Sequence, residues 1–185
     1  YLKRQENQSR YSLRYLTGAL TFRYEADALT MARQRNWPSV EMVAYGFRVQ
    51  TETGASQGLL LTRALTLPTL ADYEDKISDW SLYLPQLRRM GEQLLSMHMT
   101  GWQHGALFPV HVFIELSSGN ICLIDFERAR KRLSPQWAAY ADLVQFIRRS
   151  DWLPDEALNA IVQSHKSKMP RMLDRLRKRF PKRIF

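Results

Sequence analysis

Hydrophobic positions change their spacing twice along this chain. From Arg23 to Asn36, Tyr24, Ala28, Leu29, Met31 and Ala32 recur at three- and four-residue steps, which predicts a helix. Trp37-Pro38 ends it, because the residue before a proline disfavours helical geometry. The opening residues read as the end of a strand, followed by a polar turn and the hydrophobic pair Leu16, Leu20. Val40 to Val49 and Gly58 to Thr62 read as strands separated by the turn-rich stretch Thr51 to Gln57. After a connector at Leu65 to Pro68 the helical period returns, over Leu70 to Asp79 and Leu84 to Gly101. In the second of these, Leu87, Met90, Leu94, Leu95 and His98 share one apolar face. Trp102 to Pro109 reads as a loop. Val112 to Glu115 and Ile121 to Ile124 read as short strands of a hairpin closed by Leu116 to Asn120. Pro135 to Arg149, Pro154 to His165 and Pro170 to Phe180 complete a helical end, two of them with proline near the first turn.

This order predicts an α+β chain in two lobes: a small sheet lobe over 1–64 and a larger helical lobe over 65–185. Clefts between lobes are where cofactors sit. At 185 residues, 45% hydrophobic and 24% charged, the chain has enough apolar content for that architecture and too little charge for wholesale disorder. The single cysteine, Cys122, excludes an internal disulfide and reads as a small buried thiol. No stretch approaches the ~18 apolar residues of a membrane span. The chain opens on Tyr1-Leu2-Lys3, which resembles mid-strand and has no initiating Met, so further sequence is expected upstream.

The net charge of +9 belongs to one end. Residues 166–185 hold nine bases against one acid, Asp174, and the remainder is nearly neutral. Trp37, Trp80, Trp102, Trp137 and Trp152 are scattered rather than interleaved with this basic tail, so nucleic acid is not expected as a partner. Anionic lipid headgroups suit the bases of 166–183 better. Met169, Met172, Leu173, Leu176 and Phe180 form an apolar stripe on the same segment, which either docks on the large lobe or enters a membrane interface.

The chemistry concentrates between His104 and Glu127. An apolar strand running into Asp125 places a carboxylate at the cleft mouth, where Mg²⁺ would be held by one or two protein oxygens, with phosphate and water completing its shell. His111, across the hairpin, supplies a second metal ligand or a phosphate donor.

His104 through His111, then Asp125-Phe126-Glu127, resembles the protein-kinase catalytic loop followed by its D-F-G motif. His104 falls on the motif histidine and His111 on the asparagine. The resemblance also implies that Lys3 holds ATP phosphates and that Glu25 pairs with it. Leu60 to Leu65 match the last small-lobe strand and the hinge, so Arg63 and Leu65 would meet adenine through the backbone. Within that superfamily the chain is more similar to the bacterial lipopolysaccharide core kinases, the heptose and Kdo kinases of WaaP/InaA type. The carrying segments are Leu2-Lys3-Arg4-Gln5, Gly101-Trp102-Gln103-His104-Gly105, Pro109-x-His111-Val112-Phe113 and Leu123 through Arg130. The resemblance implies transfer of the ATP γ-phosphate, with Mg²⁺, to a hydroxyl of a lipid-linked core sugar (heptose or Kdo). It also implies a cytoplasmic location, peripheral at the inner face of the inner membrane.

The sequence departs from the motif where it matters. Ala106 stands where the kinase aspartate accepts the substrate proton, Phe108 stands for the following lysine, and a Gly-rich phosphate loop would lie upstream of Lys3. A general base contributes ~10²–10⁴-fold, so its loss slows transfer without abolishing it. Glu127 is the nearest substitute base or second metal ligand. His104 is expected to prop the loop more than to react, and Asp142 either hydrogen-bonds that loop from below or is a solvated helix charge. The rival reading that Ala106 favours is a pseudokinase scaffold or regulator.

Overall fold

The computed structural model describes residues 1–6, 9–12, 15–49 and 56–183, with side chains left aside at 9–12, 15–21 and 49. The first part is built on a sheet of β1 (Leu2–Glu6), β4 (Met42–Val49) and β5 (Ser56–Thr62), in the order β1-β5-β4 and antiparallel throughout. Between β1 and β4 the chain forms a hairpin of β2 (Ser9–Ser12) and β3 (Tyr15–Leu20), then helix α1 (Thr21–Gln34). That hairpin is where a polar turn and the pair Leu16, Leu20 stood in the sequence. The turn expected over Thr51 to Gln57 falls largely on 50–55, outside the described residues; Ser56 and Gln57 begin β5.

Strand alternation decides which side chains face α1. On β5, Gly58, Leu60 and Thr62 are buried while Leu59 and Leu61 are exposed. Lys3 lies opposite Leu60 in the register, so β1 presents Lys3 on the same inner face. Helix α1 returns Phe22, Glu25, Ala26, Ala28, Leu29 and Ala32 to that face. Asn36 closes the helix at φ 53°, and Trp37 buries against Trp102 at 5.7 Å.

Beyond Thr62 the chain is irregular to Tyr83. The helix expected over Leu70 to Asp79 is instead a 3₁₀ turn at Leu70–Tyr73, followed by turns and a second 3₁₀ turn at Trp80–Tyr83. Local capping explains this: Thr69 and Asp72 form a reciprocal capping box that starts a turn, and Asp79 accepts from the Ser81 N–H to start the next. The apolar spacing of this stretch reflects two short contacts with the core, through Leu70 and Trp80, rather than one helical face.

The helical part contains α2 (Leu84–Met99), α3 (Pro135–Arg148), α4 (Asp155–Lys166) and α5 (Pro170–Arg179). Helices α2 and α4 pack closely because Gly91 has no side chain; a Cβ there would lie 2.0 Å from the Ile161 carbonyl oxygen. The segment expected as a loop after α2 holds a two-residue strand, β6 (Trp102–Gln103), paired with β9 (Arg130–Lys131). The hairpin of β7 (Val112–Glu115) and β8 (Asn120–Leu123) sits between them. It ties the two parts together: Leu123 exchanges backbone hydrogen bonds with Pro38 and Val40, and the Ile114 N–H donates to the Pro68 carbonyl. Cys122 is half-buried in this hairpin, and burial pushes its thiol up to about 11.

On α5 the apolar stripe is inside. Met169, Met172, Leu173 and Leu176 are all buried against the neighbouring helices, so the stripe docks on the helical part and is not available to a membrane. No helix among the described residues is long and apolar enough to cross a membrane.

Candidate active site

A cleft of about 520 Å³ opens between the sheet and the β7–β8 hairpin, lined by Lys3, Glu25, Thr62, His111, Phe113 and Asp125 among others. The Lys3 ammonium donates to both carboxylate oxygens of Glu25 at 3.1 Å and lies 3.6 Å from Asp125 Oδ1. Glu25 is 2% exposed, and burial pushes its carboxyl up, against the pull of Lys3. Burial opposes the Lys3 charge, but the Glu25 carboxylate outweighs it and the ammonium ends above its usual range. The cation is therefore fixed, charged and aimed at Asp125.

Asp125 adopts left-handed backbone angles, φ 65° and ψ 59°, which an L-residue other than glycine takes only at a cost. That turn follows directly on β8 and leaves the carboxylate about a quarter exposed on the cleft. Phe126 behind it is buried and meets the His104 ring edge-on at 4.5 Å. His111 completes the cluster, with Nε2 3.6 Å from Asp125 Oδ2.

The loop from His104 to His111 is held by the rings of its own two histidines, each bonded to backbone groups. His104 Nε2 donates to the Ile124 carbonyl at 3.0 Å, which leaves Nδ1 to accept the Ala106 N–H at 3.3 Å. The Ala106 carbonyl accepts from His111 Nδ1–H at 2.8 Å. Ala106, at the position of the kinase base, is thus clamped on both sides by histidines, and its methyl is buried. Because His111 donates through Nδ1, its Nε2 lone pair faces Asp125, which is the tautomer a metal ligand needs.

Asp142 of α3 anchors the loop from beneath. It is fully buried and accepts the N–H groups of His104 at 2.6 Å and Gly105 at 2.8 Å, and His98 Nε2–H at 3.1 Å. His98 Nδ1 then accepts from His165 Nε2–H at 2.9 Å, running the network back to α4. Gly105, at φ +83°, passes so close to Arg128 that a Cβ would meet its carbonyl oxygen at 2.4 Å.

The sequence-derived residues divide into three groups. Lys3, Glu25, His111 and Asp125 all line the cleft, the first two from the sheet and α1, the other two from the turns flanking the β7–β8 hairpin. Arg63 and Leu65 also line the cleft, and the Arg63 guanidinium pairs with Glu41 at 2.6 Å. His104 is wholly buried and is not among the residues lining the cleft; its ring bonds the backbone of Ile124 and Ala106. Glu127 is not among the lining residues, and its carboxylate lies 4.0 Å from Arg128 Nε. Its charge nonetheless acts on both Lys3 and Glu25, which puts Glu127 beside the cluster. His98, assigned to the core on its apolar helix face, is buried there and is also the link between Asp142 and His165, which its spacing alone did not signal.

Asp125 and His111 suit a divalent cation: one carboxylate and one imidazole lone pair on a phosphate-sized cleft beside a fixed ammonium. Among the described residues no group of three or more His, Cys, Asp or Glu side chains is placed to hold a metal. A cation at Asp125 would take its remaining ligands from phosphate and water, as Mg²⁺ commonly does.

The signature of the Lipopolysaccharide kinase (Kdo/WaaP) family matches residues 1–168. No curated protein matches. Among solved structures, WaaP in complex with acyl carrier protein is similar at 16% identity and a TM-score of 0.58, over 95% of this chain and 88% of that one. Cydia pomonella granulovirus kinase PK-1 is similar at 14% identity and a TM-score of 0.44, over 59% and 39%. The likeness to WaaP, at that identity, is one of fold: a small sheet part and a larger helical part, α+β and kinase-like.

Proposed function

The chain belongs to the Lipopolysaccharide kinase (Kdo/WaaP) family, and from that premise we propose that it transfers the γ-phosphate of ATP to a sugar hydroxyl of lipopolysaccharide core, heptose or Kdo. Residues 1–64 and 65–185 act as the two lobes. The observation that carries the reading is the convergence of Lys3, Glu25 and Asp125 on one cleft. Lys3 holds phosphate oxygens, and Glu25 fixes Lys3 with two hydrogen bonds at 3.1 Å. The backbone at Arg63 and Leu65 meets the adenine. Asp125 and His111 hold a divalent cation, Mg²⁺ by default, which supplies charge neutralisation on the transferring phosphoryl group.

With Ala106 at the position of the base, none of the described residues lining the cleft is assigned its role. The acceptor oxygen forms the new P–O bond as the bond to ADP breaks, and its proton leaves to water or a phosphoryl oxygen. Such a loose transition state makes positioning the larger part of catalysis. A lipid-linked acceptor puts the protein at the inner face of the inner membrane, with the bases of 166–183 toward anionic headgroups. Burial of the Ala106 methyl favours a second reading, a nucleotide-binding scaffold without transfer.

Calorimetry with ATP and Mg²⁺, repeated on Asp125→Ala, tests the site. Metal-dependent binding that the variant loses supports it and justifies assay of phosphate transfer to core oligosaccharide. No binding by the intact protein removes the kinase mechanism. Binding without transfer leaves the scaffold.

A further inference from the structure

With the α5 stripe buried, any apolar contact with a lipid surface must come from elsewhere. Two exposed apolar residues stand at the start of α3, the helix that packs on α5: Leu133 and Trp137. Leu133 is fully exposed, in the turn between β9 and α3, and Trp137 is half-exposed on the first turn of α3. The two helices join this pair to the charge: the Arg175 guanidinium sits over the Trp137 ring, 4.2 Å from its centroid. Along α5, Arg171, Arg175 and Lys178 recur at three- and four-residue steps away from the buried stripe, and they and Lys182 just beyond the helix are all exposed. On the other flank, Arg130 and Arg132 both reach Gln103 Oε1, which pins β9 and holds Leu133 outward beside the exposed Lys131.

We infer that Leu133, Trp137 and the flanking bases Lys131, Arg171, Arg175 and Lys178 form one face that docks on an anionic lipid bilayer, with Leu133 and Trp137 entering the headgroup region. Charge complementarity selects the occupant. A cationic rim around an aromatic and an aliphatic tip matches the polar-apolar boundary of a membrane. Nucleic acid would want aromatics spread along the basic stripe, and here Trp137 stands at its edge. The face also lies in the right place. Leu133 follows Asp125 by eight residues, a reach of at most roughly 28 Å, so a docked face keeps the Asp125 end of the cleft within that distance of the lipid. The inference rests on the proposed lipid-linked acceptor for its purpose, though not for its chemistry.

The test is co-sedimentation of the full chain with vesicles of phosphatidylcholine alone and of phosphatidylcholine with phosphatidylglycerol, beside ATP-binding calorimetry on the same samples. Binding is expected to the anionic vesicles only. Arg171→Gln with Lys178→Gln should weaken it about 25-fold, at roughly fivefold per basic residue. Leu133→Glu, at a position that touches nothing in the fold, should weaken it by at least about tenfold while ATP binding is unchanged. Unchanged vesicle binding by Leu133→Glu overturns the docking face, as does equal binding to uncharged vesicles or tighter binding to duplex RNA. Vesicle binding without ATP binding defeats the nucleotide site and leaves this face standing.

Discussion

Replacing Asp142 by Asn keeps the shape of the side chain and removes its charge and one acceptor. In the native protein Asp142 Oδ2 accepts from the His104 N–H and His98 Nε2–H, and Oδ1 accepts from the Gly105 N–H. Asparagine with its oxygen at the Oδ2 position keeps two bonds, now neutral, and turns its NH₂ group toward the Gly105 N–H. That puts two buried donors face to face. Hydrogen bonds to a charged group contribute ~1.5–3 kcal/mol and neutral ones ~0.5–1.5, so two weakened bonds and one lost sum to about 3–5 kcal/mol. Flipping the amide is worse, because two donors are then left facing it.

Urea unfolding of Asp142→Asn against the native protein reads this directly. With a slope near ~2 kcal/mol/M, the midpoint should fall by about 2 M at unchanged slope. Amide exchange at His104 and Gly105 should accelerate more than exchange across α4, since the loop loses its anchor first. A loss under about 1 kcal/mol, or exchange unchanged at those two amides, would refute the view that Asp142 holds the loop.

Three further outcomes follow from the same geometry. His165 is buried, and burial together with His98 pushes its pKa down to about 2, so folding requires it neutral. Its contribution is complete above the unfolded value near ~6.5 and is lost as pH falls below that, by about 2 kcal/mol at pH 5. His104, lowered mainly by burial, adds in the same direction, and thermal unfolding from pH 7.5 to 5 checks the sign. Gly91→Ala should destabilise by about 3 kcal/mol, because the new methyl meets a backbone carbonyl rather than a side chain that can turn away; a loss below about 1 kcal/mol by urea unfolding would place the α2–α4 contact elsewhere. His111→Asn should shift the cation preference of ATP binding from Mn²⁺ toward Mg²⁺, since imidazole nitrogen suits the softer ion; calorimetry with each metal reads the ratio, and equal ratios in both proteins would remove His111 from the metal.

The long periodic elements were legible because each has one apolar face. Helices α2, α3, α4 and α5 lie within two residues of their expected bounds at either end, and so does the β7–β8 hairpin. Leu70 to Asp79 misled for a physical reason. Two core contacts at Leu70 and Trp80 imitate a helical repeat, while Thr69, Asp72 and Asp79 spend their side chains on starting separate short turns. The β2–β3 hairpin was missed because it is short and carries no Asn-Gly type turn. At the site, Lys3 and Glu25 are 22 residues apart, and only their motif positions hinted that a strand and a helix would bring them to 3.1 Å. The buried relay from Asp142 through His98 to His165 spans three helices. Polar residues on apolar faces were its trace, and such a trace has many other causes.

Energy spent without structural return separates a used cleft from a vestigial one. Glu25 is buried at 2% exposure, and its carboxylate is hydrogen-bonded by Lys3, itself about a quarter exposed on the cleft. Replacing a buried pair of this kind by apolar side chains of similar size is often neutral or stabilising. Asp125 holds a left-handed backbone that glycine would take more cheaply, and its carboxylate caps nothing in the turn that follows. His111 spends one ring nitrogen on the Ala106 carbonyl and keeps the other facing Asp125. All of these features line the same 520 Å³ cleft. Ala106 removes the proton acceptor from that arrangement and leaves its electrostatics whole. A nucleotide phosphate with its cation is the ligand for which that residual geometry is still complementary, and this weighs for nucleotide binding whether transfer is fast or slow.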